Sequence, residues 1–134
     1  MNADDLRAVA ADIREKANAA TPGPWAVDPD RWAPPGWREE VGYLRIVAGE
    51  PNPISGIRKK VVSTDGAEAG SDRDRLNYAN AAHIVAWSPT VALAIADWLD
   101  VAALTADTEI RDSAGPGDHT RAAIAFVKAW RGES

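Results

Sequence analysis

The segment Ala20-Thr21-Pro22-Gly23-Pro24-Trp25 imposes the strongest local constraint on what this chain can fold into. Each proline fixes φ near −65°, removes an N–H donor and turns the residue before it away from helical torsions, so no helix continues through this block. Gly23 between them can adopt a positive φ without a Cβ penalty. Upstream, Leu6, Val9, Ala10, Ile13 and Ala17 recur at helical spacing over residues 3–19, with Asp4, Asp5, Arg7, Asp12, Arg14, Glu15 and Lys16 mostly off that stripe. The expectation is an amphipathic helix, capped by Asn2 or Asp4, that stops at the block and hands Trp25 to a packing site.

Beyond Trp25 the composition shifts to Pro, Gly and β-branched residues. Residues 43–47 (Tyr43, Leu44, Arg45, Ile46, Val47) and 57–63 (Ile57 to Ser63) read as strands, and Trp25-Ala26-Val27 as a short third one. Residues 48–56 carry Gly49, Pro51, Pro53 and Gly56 and suggest a long hairpin loop. Residues 29–41, with Trp32, Pro34, Pro35, Gly36 and Trp37, form a long irregular insertion of the kind that often carries function. Helices are expected at 72–87 and 89–105, parted by Ser88 as cap and Pro89 at the first helical position. The second is apolar almost all round, which places it at the centre of the fold or, through Ile95, Trp98 and Leu99, in an oligomer interface. A last helix over 118–131, capped by Asp118, offers Ala122, Ala123, Ile124, Phe126, Val127 and Trp130 as an apolar face. The expected fold is α+β within a single domain, 1–134: an N-terminal helix, a small antiparallel β-meander over 25–64, then a helical pair over 72–105 and a C-terminal helix.

Composition narrows the function classes. The 134 residues suffice for a hydrophobic core, and the absence of cysteine excludes disulfides, thiolate metal sites and thiol catalysis. The acidic start Met1-Asn2-Ala3-Asp4-Asp5 is unlike a secretory signal, and no run approaches the roughly 20 apolar residues that span a bilayer. These features suggest a cytoplasmic protein without a membrane partner. A net charge of −5 argues against DNA binding, whose affinity rests on Lys and Arg at phosphates. Six tryptophans against one phenylalanine favour interfaces and ligand pockets as well as cores, because indole couples a large apolar area to an N–H that needs a partner.

Two blocks carry a family resemblance: the helix ending in Ala20-Thr21-Pro22-Gly23-Pro24-Trp25, and Asn80-Ala81-Ala82-His83-Ile84-Val85 followed by Ser88-Pro89 and a Leu/Ala-rich helix through Leu99. Over roughly residues 3–104 the chain resembles small bacteriophage and actinobacterial accessory proteins similar to the ead-like early proteins of lambdoid phages. Many such proteins carry Phe where His83 stands and Asp where Asn80 stands, while others of the actinobacterial type carry His. The resemblance implies an accessory role and no catalytic residues. It does not extend to the Trp32–Trp37 insertion or beyond Thr105.

Chemistry-bearing residues are few. His83 lies on the apolar stripe of its helix, where a buried neutral imidazole with one hydrogen-bond partner is expected and a ligand-binding role is the alternative. His119 reads as a surface residue after the cap. The two histidines share no metal-ligand spacing, so no metal and no cofactor are expected. Asp72 and Asp74 suit a helix N-terminus. The run Arg58-Lys59-Lys60 is unusual in an acidic protein; alternation sends Arg58 and Lys60 to one face and Lys59 to the other. Exposed cations guard a sheet edge against aggregation, the ordinary reading. Alternatively, Arg45, Arg58 and Lys60 surround a phosphate while Trp32 or Trp37 stacks on a base, with His83 nearby.

The leading expectation is a non-enzymatic phage accessory protein, a homo-oligomer that sequesters a small nucleotide-like ligand such as an immune signal. A module that inhibits a host protein is the alternative, and a hydrolase built on His83 with Asp72 or Asp74 ranks last.

Overall fold

The computed structural model describes residues 1–29, 44–55, 58–63 and 78–133. Its elements run α1 (Ala3–Ala19), β1 (Trp25–Pro29), β2 (Leu44–Ala48), β3 (Lys59–Ser63), α2 (Tyr78–Ala86), α3 (Pro89–Arg111) and α4 (Asp118–Trp130). This is the α+β order expected from the sequence. The contacts divide the chain into two compact units, residues 1–19 with 92–134 and residues 20–91.

The first unit is helical. Asn2 caps α1, its Oδ1 accepting from the N–H groups of Asp4 at 3.0 Å and Asp5 at 3.2 Å, while its own N–H donates to Asp5 Oδ2 at 2.9 Å. The anticipated stripe is buried: Leu6, Val9, Ala10 and Ile13 pack with Ala96, Leu99, Ala102, Ala103 and Ala106 of α3 and with Ala123 and Val127 of α4. The buried side chains of α3 here are mostly alanine, and larger side chains from α1 fill the space against them. Charges border this core. Arg14 Nη2 reaches Asp97 Oδ1 at 2.7 Å and Asp100 Oδ2 at 2.6 Å, and Arg7 Nη2 reaches Asp107 Oδ2 at 2.5 Å.

Several sequence expectations change here. α3 continues to Arg111, six residues past the expected end at 105. With 23 residues and a mean hydropathy of 1.3 in its most apolar stretch, it is long and apolar enough to cross a bilayer, which the sequence reading did not anticipate. Its Leu99 is fully buried and Ile95 and Trp98 pack against the core, so these side chains face inward within the unit. Val101 and Leu104 are the exposed apolar residues of its middle. The N-cap of α4 is Gly117, with no side-chain cap of its own, in place of Asp118. Glu109 of α3 substitutes: its Oε1 accepts from Gly117 N–H at 3.1 Å and from Thr120 Oγ1 at 3.0 Å. Ala122 is exposed, and Trp130 is half-exposed with its indole N–H donating to Asp12 Oδ2 at 2.9 Å.

The second unit is a three-stranded antiparallel meander in the order β1-β2-β3, with α2 against it. The paired residues Val27 and Ile46 share a face with Trp25 and Val61, and this face packs on Ala81, Ile84 and Val85 of α2. The register slips between Ile46 and Val47, because Ile46 pairs Val62 while Val47 pairs Lys60, leaving Val61 as the extra residue of a bulge. Trp25 reaches the packing site expected of it, and its indole N–H donates to Thr21 O at 2.8 Å. Gly23 does not use a positive φ, unlike Gly49 at 73°. Its requirement is space: a Cβ there would stand 2.7 Å from Thr90 Oγ1.

Candidate functional site

The antiparallel register decides which of the candidate residues meet. Directly opposed residues of neighbouring strands share a face, and successive residues alternate. Val27 and Ile46 face α2, so Ala26, Asp28, Arg45 and Val47 face away from it, joined by Lys60 opposite Val47. Arg45 and Lys60 therefore lie on one face, two positions apart across β2 and β3. Lys59, opposite Ala48, alternates away from them. Arg58 immediately precedes β3 and is half-buried.

Arg45 is the unusual member. Its side chain is only 12 % exposed, and its ion pair with Asp28, Nη2 to Oδ2 across the strands, is loose at 3.6 Å. Among the described residues its buried Nε–H has no hydrogen-bond partner. A guanidinium withdrawn from water needs its donors matched, and an unmatched one costs roughly 1 to 3 kcal/mol. Among the described residues Arg45 is thus only loosely paired in charge and short of one hydrogen bond. An anionic oxygen would supply both.

The other candidates fall elsewhere. His83 is exposed on α2, which packs against the opposite face of the sheet, so it does not join Arg45 and Lys60. The expected buried imidazole is absent because its helix turns Ala81, Ile84 and Val85 to the sheet, and position 83 is off that stripe. Its ring lies 6.5 Å from that of half-exposed Trp87, and no carboxylate partners it among the described residues. Trp32 and Trp37 lie outside the described residues, as do Asp72 and Asp74.

His119 is exposed, as expected, with its ring edge-on to Trp98 at 6.0 Å. Trp98, Phe126 and Trp130 continue this aromatic series at centroid separations of 6.0 and 6.3 Å. Among the described residues no three His, Asp or Glu side chains come together as a metal-ligand set. Sequence reasoning did not find Asp28 or Glu109. The cross-strand register alone pairs Asp28 with Arg45, and Glu109 meets Gly117 only after the chain reverses between α3 and α4.

Compared with known proteins, the chain matches no family model, no curated protein and no solved structure.

Proposed function

We propose that the protein binds a small phosphate-bearing ligand on the sheet face opposite α2, through Arg45 and Lys60 with Arg58 beside them, and holds it without chemical change. The observation that carries this reading is the nearly buried Arg45, whose Nε–H lacks a partner and whose pairing with Asp28 is loose. Guanidinium matches phosphate in charge and in its planar fork of donors, which makes arginine better suited than lysine to bidentate recognition. The absence of a nucleophile and base oriented together in the described residues favours binding over turnover.

The setting follows from the resemblance to phage accessory proteins: a cytoplasmic protein, in a homo-oligomer, that captures a nucleotide signal of host immunity. The tryptophans of the insertion, Trp32 and Trp37, are the stacking partners in this reading, and His83 takes no part. Native mass spectrometry with cyclic oligonucleotides, cyclic ADP-ribose isomers and inorganic pyrophosphate tests it. A ligand retained and released unchanged, with binding reduced at least tenfold in Arg45→Met and in Lys60→Glu, is the expected result. Release of an altered nucleotide would establish an enzyme. If no probe is retained, the anion-binding reading fails for that panel, and the second reading gains. In that reading a host protein docks on the helical unit, where Val101 and Leu104 are 55 % and 63 % exposed.

A further inference from the structure

The helical unit contains a cavity of about 130 Å³ at the end of the bundle where α1 begins, α3 ends and α4 begins. Leu6, Ala106 and Ile124 form apolar walls, Asn2, Thr120 and Glu109 supply polar groups, and Met1 at the chain terminus also lines it. Ile110, 66 % exposed, also lines it, so an apolar side chain borders the opening. For scale, an apolar protein cavity of about 150 Å³ accepts benzene.

Glu109 determines which ligand would fit. One carboxylate oxygen, Oε1, is occupied by Gly117 N–H and Thr120 Oγ1. An ionised carboxylate has about four acceptor positions over two oxygens, so acceptor capacity remains. The arginines of the helical unit are paired elsewhere: Arg7 to Asp4 and Asp107, Arg14 to Asp97 and Asp100, Arg111 to Asp112, Arg121 to Asp118 and Pro116 O, Arg131 to Asp5. Among the described residues no cationic side chain pairs with Glu109. Capping α4 accounts for one oxygen of this carboxylate; it does not account for a largely apolar cavity beside a half-buried carboxylate with which no side-chain cation pairs among the described residues.

We infer that this cavity is a second binding site, independent of the sheet face, which takes a small ring-sized organic amine with its hydrocarbon part against Leu6, Ala106 and Ile124 and its ammonium on Glu109. Neutral ligands of the same shape gain only the apolar contact, and anions are repelled. Charge-assisted hydrogen bonds contribute more than neutral ones, enough to separate amine from alcohol by roughly tenfold.

The test is an amide-resolved NMR titration of the full chain with benzylamine, benzyl alcohol and benzoate, following Ala106, Gly117 and Thr120. Saturable shifts with benzylamine, at least tenfold weaker binding of benzyl alcohol and no binding of benzoate are expected. Glu109→Gln keeps an acceptor for the α4 cap and should lower benzylamine to the level of the alcohol. Ala106→Leu should fill the cavity and abolish both. Should that core variant fail to fold, Ile110→Lys at the exposed rim offers Glu109 an internal ammonium and should block benzylamine equally. Equal affinity for amine and alcohol, or a Glu109→Gln protein that still prefers the amine, would overturn the assignment of an amine held by Glu109. Absence of saturable shifts with all three probes would remove the site altogether.

Discussion

A Cβ placed on Gly23 would approach Thr90 Oγ1 to 2.7 Å, closer than real contacts allow, so Gly23→Ala must displace the threonine side chain or the turn. Overpacking of this kind typically costs about 1 to 3 kcal/mol, and a chemical denaturation curve should show it. In a Thr90→Ala background the obstruction is gone, and the same change should be neutral or slightly stabilising because alanine lowers unfolded-chain entropy. A reversal of sign between the two backgrounds identifies space, and not torsion, as the reason for glycine. The sequence showed that a glycine between two prolines mattered; the reason it gave, a positive φ, was wrong, because the neighbour that excludes a side chain lies 67 positions away in sequence. Asn2 belongs to the same scale. It receives two backbone N–H groups, so Asn2→Ala should destabilise the fold by about 1 kcal/mol, measured as a shift in the denaturation midpoint.

At the scale of elements, α1 is tied to the end of the chain by two aspartates. Asp5 accepts from Asn2 N–H and from Arg131 Nη1, and Asp12 accepts from Lys16 and from the Trp130 indole. The Asn2 backbone bond holds the Asp5 carboxyl below its ordinary value of 3.8, with Arg131 assisting. The Lys16 and Trp130 bonds do the same for Asp12. A carboxyl whose native pKa is depressed contributes stability that is present above the unfolded value and lost as pH falls through the native one. Melting temperature should therefore drop as pH falls from about 4 toward 2, and Asp5→Asn with Asp12→Asn should flatten that slope while lowering stability at neutral pH. The positions of α1, the three strands and α3 were legible because periodicity and proline are local signals. The end of α3 at Arg111 and the capping of α4 by Glu109 were not, since both depend on the turn that brings the two helices together.

For the whole molecule, the residue proposed to hold the anion should oppose stability. Arg45 is nearly buried, loosely paired and short of one hydrogen bond, so Arg45→Met removes an under-satisfied charge while keeping side-chain volume. That variant should be as stable as the parent or more stable by roughly 1 kcal/mol in urea titration, while losing the anion. A marked loss of stability would instead mean that Arg45 is structural. The amino-acid sequence by itself determined the α+β order, the buried stripe of α1, the stop at Pro22 and the segregation of Lys60 from Lys59, because helix and strand periods and proline torsions act over a few residues. Tertiary structure alone decided that Arg45 faces Asp28 with a donor unmatched, that His83 is exposed on the far side of the sheet and that Glu109 borders an apolar cavity. Those outcomes depend on register and helix packing, which set distances between residues that the local pattern cannot relate.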